Sequence, residues 1–206
     1  MDERNYRIDF SACAAAGRDA LRSRIEEARS YYSPMSSEYF DGILVKEGNR
    51  LSESACGFLL LDGLLQKNRI DRSGLVISRN GDGRPSVINR RDIDFSISHS
   101  EGAVCCALIL GEDARIGCDI QRARKYSPEK MSELAEIFMC AKDYMDFLKT
   151  NDERLFYTIW SRREAYIKAN GGDVFGNLRD ISFWSGNFST KVISLFGERY
   201  YYSICT

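Results

Sequence analysis

The sequence lacks the short signatures that identify many enzyme classes. Its 206 residues contain no GxxxxGK[ST] phosphate loop, no GxSxG nucleophile turn and no HExxH metal site. Histidine is also scarce, because His99 is the single histidine of the chain. Any Ser-His or Cys-His mechanism would therefore have to use His99.

An excess of one charge and a long apolar run are missing too. Lys+Arg amount to 29 against 30 for Asp+Glu, so the net charge of −1 excludes broad attraction to nucleic acid or to an anionic membrane. A local basic pocket for a small anion is compatible with this balance. No apolar run approaches the ~20 residues of a membrane span, and the start, MDERNYRIDF, is charged from its second residue, unlike a signal peptide. We expect a cytoplasmic protein that has neither nucleic acid nor a membrane as its partner.

The seven cysteines are odd in number and form no CxxC pair. Most of them lie within apolar runs such as AVCCALIL. This use of cysteine is typical of small buried side chains in a reducing compartment, and not of a disulfide or zinc framework.

Hydrophobic periodicity predicts an α+β fold. In the first half, a leucine-rich helix in LSESACGFLLLDGLLQK (51–67), with Asn49 or Ser52 as its N-cap, precedes a hairpin and two strands. In the second half, a helix begins at Asp152, ends at Gly171-Gly172 and precedes the last strands.

Each half thus shows a long helix followed by strands, which suggests a duplicated unit. The boundary is predicted in GEDARI, where a turn separates two strands. We expect an N-terminal α+β half of residues 1–112 and a C-terminal α+β half of residues 113–206.

The second long helix carries charged residues at unusual places. In IWSRREAYIKANGG, Arg163 falls on an arc of six apolar or aromatic side chains, where a desolvated guanidinium requires a carboxylate or a phosphate. Glu164 and Lys168 lie one turn apart at the edge of this arc. They are either a common surface pair, worth ~0.2–0.5 kcal/mol, or part of a site.

Three further segments combine polar groups that could bind phosphate or metal. Asp119 interrupts the apolar strand IGCDIQ and shares a strand face with Gln121, so it is either a Mg²⁺ ligand or a strand-end residue that bonds a turn. GDGRPS is a glycine-rich turn with one arginine, and SISHSEG concentrates hydroxyl groups around His99. Both could contact phosphate, or form a plain hairpin turn and a strand cap.

Taken together and in this order, these segments resemble the surfactin-type 4′-phosphopantetheinyl transferases. The family has a strand of the form (I/V)G(I/V)D and, further along the chain, a helix of the form WxxKE(A/S)xxK. IGCD ends at Asp119, and WSRREAYIK spans residues 160–168. The family's GKP turn and NISHS strand match GRP (83–85) and SISHS (96–100), and an arginine that opens a leucine-rich helix matches Arg50.

The resemblance implies a fold and an activity. The fold has two similar α+β halves related by a pseudo-twofold axis, with coenzyme A in the cleft between them. The activity moves 4′-phosphopantetheine from coenzyme A to a serine of an apo acyl or peptidyl carrier protein, releases 3′,5′-ADP and depends on Mg²⁺. We expect a monomer with coenzyme A and a carrier protein as its partners.

The resemblance also implies a role for each matched residue. Asp119 and Glu164 would hold Mg²⁺, with Gln121 at a third metal position. Glu164 would assist deprotonation of the carrier serine, and Lys168 would stabilise the departing phosphate. The expected contacts with coenzyme A come from both halves: Arg50, Gly83, Arg84, Pro85, Ser98, His99, Arg163 and Lys168. Among them Arg50, Ser98 and His99 would hold the 3′-phosphate.

The chain departs from the family pattern in three ways. Gln121 stands where many members carry glutamate, so a neutral amide replaces a charge. Arg84 and Arg163 replace lysines, which keeps the cation but changes its geometry. The segment SPMSSEYFDGIL (33–44) lacks the basic residues that some members carry there.

Two other functions fit part of the pattern. Mg²⁺-dependent nucleases of the PD-(D/E)xK type also use an aspartate, a glutamate and a lysine, but their last two residues lie two apart on a strand instead of four apart on a helix. The second alternative is a catalytically weak homologue that binds a carrier protein or coenzyme A. Gln121 supports this alternative, whereas the presence of Asp119, Glu164 and Lys168 counts against it.

Overall fold

Two separately packed units, unit 1 (Met1–Ile116) and unit 2 (Gly117–Thr206), make up the fold in the computed structural model. The structure describes residues 6–12, 17–81, 83–170, 182–183, 188–195 and 197–206. The units meet in sequence at the start of the strand that carries Asp119, four residues beyond the predicted boundary (116 against 112).

Unit 1 packs a long helix against a three-stranded sheet. Its described elements are β1 (Tyr6–Ala12), α1 (Arg18–Arg29), a 3₁₀ turn (Pro34–Ser36), α2 (Ser37–Leu44), α3 (Gly48–Lys67), β2 (Ile77–Arg79), β3 (Pro85–Val87), β4 (Ile93–Ser100) and β5 (Ala103–Leu110). Strands β1 and β4 pair antiparallel with β5 on either side, and β2 and β3 form the predicted hairpin. Buried apolar side chains of α3 and the sheet, including Phe58 and Phe95, form the core of this unit.

The predicted N-cap of α3 is wrong. The helix begins at Gly48 with Glu47 as N-cap, so Asn49 and Ser52 lie inside it. Gly48 has a φ of +55°, which glycine adopts without steric cost. The helix can therefore begin at Gly48, before the two polar residues that the sequence offered as caps. Ser52 donates its hydroxyl back to the carbonyl of Gly48 instead of capping.

Unit 2 repeats the arrangement with different helices. Its described elements are β6 (Gly117–Arg122), α4 (Pro128–Phe138), α5 (Ala141–Thr150), α6 (Glu153–Asn170), β7 (Phe188–Leu195) and β8 (Glu198–Cys205). The Asp152 carboxylate accepts from the Arg154 amide at 2.8 Å and so caps α6, where the sequence predicts its start. The predicted helix end at Gly171-Gly172 lies outside the described residues.

The two sheets have the same strand order. In unit 1 the order is β1-β5-β4 and in unit 2 it is β6-β8-β7, so in each the last strand lies between the first and the middle one. In each unit the long helix follows the first strand of this sheet and precedes its other two strands, which are β4 and β5 in unit 1 and β7 and β8 in unit 2. The predicted α+β class is therefore confirmed. None of the described helices is long and apolar enough to cross a membrane.

Candidate catalytic and metal site

Gly117 allows β6 to lie directly against α6. A Cβ atom on Gly117 would be 1.8 Å from the Ala165 carbonyl oxygen and 2.6 Å from the Ala169 amide nitrogen, so only glycine fits there. The facing side of α6 is correspondingly small, and its buried Ser161 hydroxyl lies 2.8 Å from the Ser203 hydroxyl of β8. This backbone approach brings the side chains of β6 and of the second half of α6 within reach of one another.

Asp119 is a buried carboxylate with a cation on one oxygen and an amide on the other. Its exposed fraction is 2%. The Lys168 ammonium donates to Oδ1 at 2.8 Å, and the Gln121 amide nitrogen donates to Oδ2 at 2.8 Å. These donors offset the free energy that burial of a carboxylate costs. Lys168 is therefore more than one half of a surface pair with Glu164.

Glu164 lies close enough to Asp119 for the two charges to interact. Its pKa is raised above the ordinary glutamate value, first by burial and second by the negative charge of Asp119. The charges of Lys168 and Arg163 oppose this rise. A carboxylate whose proton affinity is raised by burial and by a neighbouring carboxylate suits proton transfer or the binding of a divalent cation.

The donor set fits Mg²⁺ and not a closed metal cage. No group of three or more His, Cys, Asp or Glu side chains that could hold a metal occurs among the described residues. Mg²⁺, however, commonly takes one or two protein carboxylates and completes its shell with water and phosphate oxygens. Asp119 and Glu164 fit that pattern. Gln121 turns its nitrogen toward Asp119, so it would have to present its oxygen instead in order to bind the metal.

Arg163, for which the sequence predicts an anionic partner, is buried and donates a hydrogen bond to a backbone carbonyl. The residue is 6% exposed, and its Nη1 donates to the Phe138 carbonyl at 2.7 Å. Phe138 is the last residue of α4, where carbonyl groups lack partners within the helix. This hydrogen bond goes to a carbonyl, and the charge of Arg163 also acts on the Glu164 carboxylate. Contact of Arg163 with coenzyme A stays a prediction.

The GRP turn has a structural role in unit 1. One nitrogen of Arg84 lies 2.9 Å from both carboxylate oxygens of Asp94 and donates to the carbonyls of Phe95 (2.7 Å) and Ile116 (3.0 Å). Gly83 has a φ of +78°, which the hairpin needs, and Pro85 begins β3. Contact of these three residues with an adenine nucleotide stays a prediction.

The residues expected to hold a 3′-phosphate lie on α3 and β4. Ser98 is buried in β4, and His99 is 54% exposed at its side chain, with Nδ1 3.4 Å from the Glu53 carboxylate of α3. Arg50 lies one turn before Glu53 on the same helix. The structure thus brings His99 to the helix that carries Arg50.

Sequence reasoning missed two cations in this part of unit 1. The pKa of Lys46 is lowered by burial and then by the charges of Arg79 and Arg50, so the charges of the three residues interact. Lys46 belongs to a connecting segment and Arg79 to a three-residue strand. Neither position belongs to a periodic pattern or a motif that could have indicated a site.

Comparisons with known proteins agree with the motifs. A family model described as the 4′-phosphopantetheinyl transferase superfamily matches residues 115–206. The 4′-phosphopantetheinyl transferase Sfp of Bacillus subtilis strain 168 is 30% identical over 71% of this chain and 63% of its own length. The transferase gsp of Aneurinibacillus migulanus is 28% identical over 63% of this chain and 52% of its own length. AcpT of Escherichia coli K12 is 26% identical over 60% of this chain and 62% of its own length.

A solved structure also matches, although weakly. It is a holo-(acyl-carrier-protein) synthase from Bacillus anthracis in complex with coenzyme A, with a TM-score of 0.35 and 16% identity over 53% of this chain and 96% of that chain. The chain spans 46% to 63% of the length of the first three curated relatives that it matches. In sequence, the chain is similar to the surfactin-type 4′-phosphopantetheinyl transferases over the part of their length that it spans.

Proposed function

We propose that this protein transfers the 4′-phosphopantetheine group of coenzyme A to a serine hydroxyl of an apo carrier protein and releases 3′,5′-ADP. One observation carries the proposal: Asp119 of β6 interacts with Glu164 and Lys168 of α6, where the two backbones touch. The names of the sequence relatives support the same chemistry.

The reaction makes one phosphorus–oxygen bond and breaks another. The serine oxygen attacks the phosphorus next to pantetheine, and the bond from that phosphorus to the oxygen of 3′,5′-ADP breaks. Negative charge grows on the leaving oxygen, so cations near the diphosphate accelerate the step. Asp119 and Glu164 would hold Mg²⁺, which when bound would neutralise phosphate charge.

Glu164 would assist deprotonation of the carrier serine, directly or through a metal-ordered water. Its pKa is raised by burial and by Asp119, which makes the carboxylate a stronger base than an exposed glutamate. Asp119, in contrast, has donors on both oxygens and is the more firmly held of the two carboxylates. Both carboxylates would therefore hold the metal, and Glu164 would in addition assist proton removal.

Lys168 supplies the mobile positive charge. Its side chain is 27% exposed while it donates to Asp119. A flexible four-carbon stem lets the ammonium turn to an oxygen of the departing phosphate. Arg163 lies too deep for such a movement in this arrangement, since its guanidinium already binds the end of α4.

The function is tested by intact mass spectrometry of carrier proteins. Purified chain, coenzyme A and Mg²⁺ are incubated with a panel of apo acyl and peptidyl carrier proteins. We expect at least one carrier to gain the mass of one phosphopantetheine, and the gain to disappear with EDTA. Asp146→Asn, which removes an exposed carboxylate paired with Lys149, is the matched control and should keep full activity.

The alternatives predict other results in the same experiment. A homologue without turnover would bind coenzyme A but modify no carrier at any Mg²⁺ concentration. The neutral Gln121 beside Asp119 is the feature of the site that favours this outcome. A nuclease would instead cleave DNA in the presence of Mg²⁺ and leave coenzyme A intact.

A further inference from the structure

Several charged side chains converge on the first two turns of α3 in unit 1. Arg50 and Glu53 lie one turn apart on this helix. The Lys46 ammonium donates to the Ser54 hydroxyl at 2.7 Å, and His99 Nδ1 lies 3.4 Å from the Glu53 carboxylate. Lys46, Arg50 and His99 thus surround one short stretch of helix.

Arg79 adds a further positive charge. Its guanidinium lies over the ring of Tyr39, 5.4 Å from the centroid, and donates to the Gly83 carbonyl at 2.7 Å. The charges of Arg79 and Arg50 both lower the pKa of Lys46, and Glu53 opposes them. Like charges that interact in this way cost free energy in the protein alone, and such a cost is characteristic of sites that receive a charged ligand.

The start of α3 favours an anion as well. The first turn of this helix contains Arg50 and no acidic residue, and the acidic N-cap, Glu47, makes no side-chain capping hydrogen bond. The helix dipole is positive at this end, so it disfavours a cation and attracts an anion. A bound anion would satisfy the helix end and the cations together.

We propose that Lys46 and Arg79 join Arg50 and His99 in binding a phosphate monoester, and that Glu53 is a resident anion which this phosphate displaces. The inference rests on the proposed function, in which the ligand is the 3′-phosphate of coenzyme A. It names two cations that stand in for the basic residues missing from residues 33–44.

The displacement follows from the charges. A phosphate monoester carries close to two negative charges at neutral pH, whereas the Glu53 carboxylate carries one. The phosphate therefore gains more from the same cations than Glu53 loses. Glu53 lowers the net affinity and keeps the cluster stable when no ligand is bound.

Calorimetry with two nucleotides tests the inference without carrier protein or Mg²⁺. The ratio of the affinities for 3′,5′-ADP and 5′-AMP isolates the contribution of the 3′-phosphate. We expect Lys46→Gln to lower this ratio about tenfold, the size of one charge-assisted hydrogen bond. Glu53→Gln should raise the ratio severalfold, since the competing carboxylate is gone.

A matched control comes from the same unit. Lys67 is exposed and paired with Asp9 at 2.6 Å, far from this cluster in sequence, so Lys67→Gln should leave the ratio unchanged. Arg79→Gln should act like Lys46→Gln. The two opposite shifts, down for Lys46 and up for Glu53, cannot both arise from a general loss of stability.

An unchanged ratio in Lys46→Gln, or a lower ratio in Glu53→Gln, overturns the inference. Competition by inorganic phosphate distinguishes a site for the 3′-phosphate of a nucleotide from a site for free phosphate. If Lys46→Gln weakens the binding of inorganic phosphate and of 5′-AMP equally and leaves the ratio unchanged, Lys46 belongs to a general anion site. That result also overturns the inference. Carrier modification by the same preparations is measured separately, so a failure of the transferase function is distinguished from a failure of this site.

Discussion

The two units share a strand order but carry opposite charge at corresponding elements. In unit 1 the long helix α3 carries Arg50, with the charges of Lys46 and Arg79 nearby and the Glu53 carboxylate among them. In unit 2 the long helix α6 carries Glu164, which interacts with Asp119 of β6. One plan of strand, helix and hairpin therefore supports a cationic cluster in one unit and an anionic pair in the other.

Each cluster also contains charge of the opposite sign. Lys168 lies on Asp119 in unit 2, and Glu53 lies beside His99 in unit 1. A resident counter-charge lowers the free energy of the unliganded cluster, and it must be exchanged when a ligand of the same sign arrives. The two units share a strand order, so topology does not decide which ligand each one binds. In the proposed function, the sign of the side-chain charges decides it: the acidic pair of unit 2 binds the metal, and the cations of unit 1 bind the phosphate.

Loss of the Asp119 charge should have the largest effect. Asp119→Asn removes the carboxylate and leaves Lys168 without its anionic partner. We expect transfer to slow about a thousandfold, equal to about 4 kcal/mol, while the fold is kept. The rate is measured by carrier mass at saturating Mg²⁺, with Asp146→Asn as control. If Asp119→Asn kept more than a tenth of the wild-type rate, the assignment of Asp119 to the catalytic site would be wrong.

The glycine contacts of the two long helices should differ in cost. A Cβ on Gly117 meets the backbone of α6 at 1.8 Å, whereas a Cβ on Gly57 of α3 meets the Cγ2 methyl group of the Ile97 side chain at 2.7 Å. We expect Gly117→Ala to lower the free energy of unfolding by about 3 kcal/mol or more, and Gly57→Ala by about 1 kcal/mol. Urea titration measures both.

Gly63 of α3 is the control for these glycines, because a Cβ there meets nothing within 4 Å. Gly63→Ala should stabilise the protein by about 0.5–1 kcal/mol, the ordinary gain of alanine inside a helix. Equal costs for Gly117→Ala and Gly57→Ala would show that the approach of β6 to α6 is not special.

The charged residues of α6 should affect turnover more than stability. Glu164→Gln and Lys168→Met should each slow transfer about a hundredfold, equal to about 2.7 kcal/mol, since proton transfer or charge stabilisation is lost. A surface pair would instead change only stability, by ~0.2–0.5 kcal/mol. Lys149→Met, which breaks an exposed pair with Asp146, is the matched control. Full activity of either α6 variant contradicts the assignment.

Gln121→Glu should have the smallest effect and the opposite sign. A third carboxylate beside Asp119 should tighten the apparent affinity for Mg²⁺ about tenfold, equal to about 1.4 kcal/mol. Without metal the new charge repels Asp119, so the melting temperature should fall in EDTA and recover with Mg²⁺. A melting temperature that is independent of Mg²⁺ would show that residue 121 does not reach the metal.

Much of the fold and of the anionic site could be predicted because it depends on local patterns. The period of α3 and α6, the strand alternation and the cap at Asp152 are set by near neighbours in sequence. The convergence of Asp119 with α6 followed from the resemblance. What the sequence did not indicate was the reason for it, the backbone contact at Gly117, since a single glycine in a strand has several explanations.

Long-range partners account for the rest. The carbonyl of Phe138 that receives Arg163, and the Asp94 carboxylate that binds Arg84, depend on how distant segments pack. No spacing rule connects an arginine in a turn with an aspartate in a later strand. The sequence therefore indicated which charges were unusual, and the structure supplied their partners.

The charge-swapped double variant, Glu164→Lys with Lys168→Glu, tests the central claim most directly. It keeps both charges, their spacing and the net charge of α6, so any helix-surface role would survive the exchange. At the proposed site, the swap puts an ammonium where the metal and the catalytic base are needed, beside Asp119. Transfer of phosphopantetheine to a carrier protein is measured by mass, and folding by the melting temperature. The account predicts a folded protein without measurable transfer, and a swapped protein that transfers at the wild-type rate would contradict it.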